Sequence, residues 1–210
     1  MGISEFYLKK SHYDFLYNIA PIQNICSILA DGILSKSLVE KSGIHYYSLA
    51  DESVQDRRDK IKVPDGLKLH EYANLYFNPR NPMLYKLINE RPRECCLLQV
   101  DFKILDVPNV VVTDRNAASF AHFMTPVEGL LCIDFKKVYA EYWTDNDPSV
   151  YEEKKKAICA EVLVPYTIEP QWIKGILVPD LQLKNTLIKS GIDEKIIKEE
   201  KYLFFRKKLC

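Results

Sequence analysis

Three groups of residues in this chain have types and spacings that can do chemistry. The first is Glu161, a lone carboxylate that opens the apolar run Glu161-Val-Leu-Val164 just after Lys154-Lys-Lys-Ala157. A charge at the mouth of a buried strand must find hydrogen bonds, a cation or a substrate; otherwise it sits at a solvated strand end and pairs with one of those lysines. The second is the adjacent pair Arg57-Arg58 within the charge-dense stretch 51–64. Neighbours on a helix stand about 100° apart, so the two cannot share one surface. An inward-pointing one needs a carboxylate or a ligand phosphate, and the alternative is an ordinary solvated face. The third is Arg80, fixed between Pro79 and Pro82 with Tyr76 and Tyr85 close in sequence. A guanidinium on a rigid turn beside aromatic rings suits a phosphate and a flat heterocycle; the plainer reading is a cation lying over a tyrosine.

Elements must position these groups. Asp147 or Ser149 caps a helix over 148–157 that ends in lysines and delivers the chain to the Glu161 strand. Residues 13–21 read as a strand ending at Pro21, and 22–32 as an amphipathic helix closed by Gly32. Asn18 and Ala20 then stand at a strand-to-helix passage, where backbone N–H groups can hold an anion, or where the chain simply turns. Residues 73–77 form a strand, 78–80 a turn, and Asn81-Pro82 caps the next helix. Strands are expected at 95–102, 109–113, 172–178 and 202–206. Helices are expected at 114–123 (capped by Thr113 or Asp114), 135–143 and 180–190. This mixture has no regular alternation, repeat or low-complexity linker, which fits one α+β domain over residues 1–210.

Composition narrows the classes. The chain has 210 residues, 47% of them apolar, enough for a substantial core. No apolar run approaches the roughly 20 residues that span a bilayer. The start has neither a signal-peptide pattern nor a myristoylation signal, so a cytoplasmic location and no membrane partner are expected. Six scattered cysteines and four dispersed histidines give no metal-ligand spacing, so no metal is expected and the thiols read as buried and reduced. Cys95 and Cys96 should point to opposite faces of a strand. Zero net charge means that a nucleic-acid binder would have to gather its cations locally. Seven glycines form no dinucleotide-binding or phosphate-loop motif, and no nucleophile elbow is present.

The segments 17–35, Gln55-Asp-Arg-Arg58, Val63-Pro64, 70–85, Val112-Thr-Asp-Arg115 and Ala160-Glu-Val-Leu-Val164 together resemble the DarT family, the toxins of the DarT/DarG toxin–antitoxin systems. These resemble other ADP-ribosyltransferases and transfer ADP-ribose from NAD to a base of single-stranded DNA. The block 70–85 is the specific part. The resemblance implies a single ADP-ribosyltransferase-like domain, its central β-sheet split and flanked by helices. It implies that Glu161 is the catalytic carboxylate and that Arg58 holds the NAD diphosphate and steadies the transition state. Asn18, Ala20, Asn24 and Tyr76 fall to the NAD pocket, with Tyr76, Arg80, Met83, Arg115, Asn116, Lys154 and Lys155 toward the DNA. NAD is the implied co-substrate, single-stranded DNA the target, and a DarG-like macrodomain antitoxin the partner, in a toxin–antitoxin or phage-defence setting.

The chemistry of the residues agrees. Breaking the ribose–nicotinamide bond builds positive charge on the ribose carbon, which a carboxylate stabilises, and the same carboxylate can take a proton from the incoming nitrogen. Glu161→Ala is expected to leave the fold intact, since only a costly charge leaves the strand. A reacting base edge is hidden in duplex, so a single strand is expected to enter. Many relatives carry histidine at the positions of Asn18 and Asn116. Asparagine amides donate and accept at once but exchange no proton near neutral pH, which favours guanine as the target, thymine next. The alternatives are a transferase acting on RNA or protein, and an inactive module that binds NAD or nucleic acid.

Overall fold

The computed structural model describes residues 2–206. Nine helices are present among them: α1 (Ile3–Lys10), α2 (Ile25–Asp31), α3 (Lys36–Ser42), α4 (Glu52–Asp59), α5 (Pro82–Glu90), α6 (Pro126–Cys132), α7 (Phe135–Val138), α8 (Pro148–Ala157) and α9 (Leu181–Lys189). Short polar side chains start most of them. Ser35, Asp51, Asn81, Thr125, Asp134, Asp147 and Asp180 each accept a backbone N–H from the first turn they cap, satisfying donors that a helix leaves free. Gly32 ends α2 at φ +89°, a conformation that side chains resist, and packs there against the carbonyl of Ile168.

The strands are β1 (Leu16–Pro21), β2 (Ile33–Leu34), β3 (Tyr72–Tyr76), β4 (Cys95–Val100), β5 (Val111–Thr113), β6 (Phe123–Met124), β7 (Glu161–Pro165), β8 (Thr167–Ile168), β9 (Ile173–Val178) and β10 (Ile197–Glu199). Eight of them make one sheet in the order β10-β9-β4-β1-β3-β7-β5-β6, and β2 pairs with β8 in a separate ribbon. Among the described residues, only β9 and β10 pair in parallel. The sheet is all but split in the middle. β1 pairs with β4 over six residues but meets β3 only at Tyr17 opposite Tyr76. Both faces carry cores, as the adjacent thiols show: Cys96 packs in the larger one and Cys95 in the smaller. The other described cysteines differ from the buried-thiol expectation, because Cys26 and Cys132 are exposed and Cys159 is half-buried.

Two expected elements are absent, for local reasons. Residues 114–122 form turns, not a helix, because the groups that would cap or propagate one are engaged elsewhere. Asp114 binds Arg115 and His122, the N–H of Ala117 goes to Glu161, and Phe120 takes φ +51°. The strand expected over 202–206 is likewise replaced by a turn over 202–205, with Phe205 at φ +58°. The helix expected over 135–143 stops at Val138.

Candidate active site

The register of the sheet brings the first group together. Tyr76, the last residue of β3, lies directly opposite Glu161, the first of β7, so their side chains share a face. Along β7, Val162 and Val164 point into the larger core and leave Glu161 and Leu163 on the other side. Glu161 has no exposed surface. Its carboxylate accepts from Nη1 of Arg58 at 3.1 Å and from the N–H of Ala117 at 3.1 Å. Its own N–H donates to Oγ1 of Thr113 at 3.1 Å, and that hydroxyl donates to the carbonyl of Arg115 at 2.7 Å. The turn 113–117 therefore exists in this shape because its donors and acceptors are spent on β7.

Of the adjacent arginines, Arg58 is the inward one. It is 7% exposed, whereas Arg57 faces solvent. The pair that Arg58 makes with Glu161 explains how both charges tolerate burial, and it corrects the expectation for Glu161→Ala. Removing the carboxylate strands a buried cation and an unpaired N–H. Burial, and then the charge of Glu161, push the Tyr76 hydroxyl well above the usual tyrosine value, so it remains a neutral donor and reaches the sulfur of Met83 at 3.4 Å.

Beside this pair lies a cavity of about 740 Å³, in the range of small-molecule sites. Asn18, Asn24, Arg58, Tyr76, Met83 and Asn116 line it; Ala20, which is buried in the core, does not. The Asn18 amide donates to the carbonyl of Asn74 at 3.0 Å, tying β1 to β3 next to their single pairing. Asn24 spends its amide on the backbone of Tyr47 in both directions, at 2.9 and 3.0 Å, and so holds the 44–50 loop on the cavity rim. Asn116 accepts from the N–H of Ala118, which leaves its amide nitrogen for other use. Glu161 itself does not line the cavity, whereas its ion-pair partner Arg58 and its cross-strand neighbour Tyr76 do.

The remaining expected DNA contacts lie elsewhere. Arg80 is 2% exposed. Its guanidinium sits 4.2 Å from the ring of Tyr202 and 4.3 Å from that of Phe205, with Tyr142 at 5.4 Å, and it binds the carbonyl of Tyr202. No phosphate reaches it while residues 202–205 stay in place; its evident work is to anchor the 78–81 turn. Arg115 pairs with Asp114, Lys154 with Asp145, and Lys155 lies over Tyr151. Arg115 lies on the turn between β5 and β6, and the two lysines lie on α8, which leads to β7. Sequence reasoning missed Thr113, Ala117 and Asn74, because backbone hydrogen bonding leaves no residue-type signal. It also missed His70 as a cavity residue, although that histidine opens the most distinctive block. No group of histidine, cysteine and acidic side chains able to hold a metal occurs among the described residues. None of the described helices is long and apolar enough to cross a membrane.

The profile of the DarT family, described as "ssDNA thymidine ADP-ribosyltransferase, DarT", matches residues 17–204. A "DNA ADP-ribosyl transferase-DNA ADP-ribosyl glycohydrolase fusion protein" of Thermosipho africanus is 35% identical over 180 residues, 83% of this chain and 45% of that protein. A "DNA ADP-ribosyl transferase" of Thermus sp. is 32% identical over 68% of this chain and 71% of its own length. The present chain thus spans under half the length of the Thermosipho relative. The solved Thermosipho africanus DarTG, in complex with ADP-ribose, superposes with a TM-score of 0.81 at 31% identity, over 92% of this chain and 52% of that one. Thermus sp. DarT bound to ADP-ribosylated single-stranded DNA shares the fold, with a TM-score of 0.75 at 24% identity over 90% and 95% of the two chains. The profile match over nearly the whole chain, together with these identities, shows that the chain belongs to the DarT family.

Proposed function

We propose that this chain is an NAD-dependent mono-ADP-ribosyltransferase that modifies a nucleobase in single-stranded DNA. The observation that carries the reading is the buried Arg58–Glu161 pair, whose arginine lines the cavity beside Tyr76. A purely structural ion pair has no need of a cavity, and family membership supplies the reaction. The solved relatives named above, one with ADP-ribose and one with ADP-ribosylated single-stranded DNA, support the same substrates here.

In this reading NAD enters the cavity with its diphosphate toward Arg58. A phosphate is a strong competitor for a guanidinium, so binding draws Arg58 from Glu161 and uncovers the carboxylate. The bond between the ribose anomeric carbon and the nicotinamide nitrogen breaks, its electron pair leaving with nicotinamide. A ring or exocyclic nitrogen of the base forms the new bond to that carbon and gives its proton to Glu161. Glu161 also stabilises the positive charge that builds on the ribose between the two events. The Ala117 N–H and the Thr113 hydroxyl keep the strand end in place throughout.

Tyr76 and Met83 lie where the base would meet the ribose. Lys154, Lys155 and Arg115 serve the DNA backbone by exchanging their present partners for phosphates, and Arg80 holds the turn that presents Met83. Guanine is the proposed base, since Asn18 and Asn116 can match its edge; thymine is the second reading, favoured by the family's description as a thymidine transferase. The partner proposed is an antitoxin that removes ADP-ribose, in line with the glycohydrolase named in the Thermosipho fusion, in a cytoplasmic toxin–antitoxin or phage-defence pair.

Incubation with labelled NAD and DNA, RNA or protein in parallel tests the reading. Label on oligodeoxynucleotide alone is expected. Label on RNA or protein would select the broader transferase reading, and no label at all would leave only a binding module. Oligonucleotides each lacking one base, digested and analysed by mass spectrometry, assign the base: ADP-ribose on a strand without guanine returns thymine.

A further inference from the structure

The helix that carries Arg58 to the cavity has little apolar surface to hold it. Of the described residues 41–60, only Leu49 and Arg58 are buried. α4 itself reads Glu52-Ser-Val-Gln-Asp-Arg-Arg-Asp59, and its single aliphatic side chain, Val54, is half-buried. Most helices keep their place by packing an apolar face, which α4 lacks. Polar contacts fasten it instead. At its start, Asp51 pairs with Lys86 of α5 at 2.9 Å; near its end, Arg58 pairs with Glu161 at 3.1 Å, and Asp59 lies 3.3 Å from Nδ1 of His70. The loop before it is fastened in the same way, since Tyr47 donates to Glu94 at 3.0 Å and Arg91 to the carbonyl of Ser48 at 3.4 Å.

Asp51 joins two helices with one carboxylate. Its Oδ1 accepts from the N–H and the hydroxyl of Ser53, at 3.0 and 2.6 Å, and so caps α4; its Oδ2 takes Lys86. Ser53 and then Lys86 hold this carboxyl well below the usual carboxylate range, so it stays charged. In the free protein the buried Arg58–Glu161 pair also pins α4. Once a diphosphate draws Arg58 away from Glu161, that pin is gone, and the contacts at the two ends must keep the helix in register. We infer that Lys86, acting through Asp51 and the cap of α4, is a positioning residue that holds the Arg58 guanidinium where a diphosphate can meet it. The inference deepens the reading that NAD occupies the cavity, and rests on it.

Lys86 and Asp51 also line the cavity, so Lys86 could instead touch the ligand itself. Calorimetric titration of the whole chain with NAD separates the two. Lys86→Met is expected to weaken NAD binding about threefold, in keeping with an exposed pair, and Lys86→Arg to restore it. Asp51→Asn keeps a capping acceptor for Ser53 but loses the ion pair. It should weaken NAD binding as much as Lys86→Met does, and the double variant should be no weaker than either. In an Arg58→Ala chain, Lys86→Met should change nothing further, since the group it positions is gone. The urea midpoints of Lys86→Met and Asp51→Asn should stay near that of wild type, because Arg58–Glu161 still pins the free protein. Wild-type affinity in both single variants, or an undiminished effect of Lys86→Met in the Arg58→Ala chain, would overturn the inference while leaving the transferase reading standing. Weakening by Lys86→Met without weakening by Asp51→Asn would overturn it too, and make Lys86 a direct ligand. Failure of the wild type to bind NAD would overturn both.

Discussion

Glu161 has no exposed surface, and each of its contacts has a separate consequence when removed. Arg58 and the Ala117 N–H both depend on the carboxylate, so Glu161→Ala should cost about 3 kcal/mol of stability in urea unfolding, as expected when one partner of a buried pair is lost. Glu161→Gln keeps the shape and an acceptor for Ala117, and should cost clearly less while removing the proton acceptor. An alanine variant as stable as wild type would show that the pair does not hold this part of the fold. The adjacent arginines make a sharper comparison. Arg58→Ala should weaken NAD binding by about 1.5–3 kcal/mol, the worth of a charge-assisted contact, whereas Arg57→Ala, at a solvated position, should change it little. Calorimetry giving the reverse order would exclude Arg58 as the diphosphate ligand.

Legibility varies from element to element with the kind of force that decides each one. α8, β7 and the Asn81-Pro82 start of α5 were readable, since caps, prolines and an apolar run act locally. α6 carries a readable signal in its Thr125–Glu128 capping box, but the run behind it is too short to announce a helix by itself. α1 has no side-chain cap and is apolar only in patches, so nothing local announces it. The turn over 114–122 reads as a helix in sequence because the competing acceptor, Glu161, lies 44 residues away from Ala117. The same holds for residues 202–206, whose aromatic rings look like a strand but pack on Arg80. In the site itself, the inward arginine and the strand-mouth glutamate were visible as an anomaly of charge, whereas their pairing with each other was not. His70 illustrates a group set by three elements at once: Lys36 on α3, Arg58 and Asp59 on α4, and the turn before β3. Its folded-state value lies below the ordinary 6.5, so the unfolded chain takes up this proton first. The stability that neutral His70 contributes is complete above 6.5 and is lost as pH falls toward the folded value. His70→Gln should flatten that part of the stability–pH curve, and an unchanged slope in urea titrations between pH 7 and 5 would contradict the assignment.

Across the whole molecule, equal numbers of basic and acidic residues, 29 each, limit how many phosphates can be neutralised at once. Lys154, Lys155 and Arg115 must also leave existing partners to do so. Binding to single-stranded oligonucleotide should therefore weaken with salt along a shallow slope, corresponding to about three ion contacts; a slope implying many would require a basic surface that these residues do not form. On the proposed reading, the split between β1 and β3, the cavity beside it and the buried Glu161 together bring a dinucleotide to a sequestered carboxylate. Transfer of labelled ADP-ribose from NAD to single-stranded and duplex oligonucleotides, compared between wild type and Glu161→Gln, tests that claim most directly. Label is expected on a nucleobase of the single strand with wild type, with little on duplex and none with the folded Glu161→Gln variant. Near-normal labelling by Glu161→Gln, or equal labelling of duplex, would contradict it.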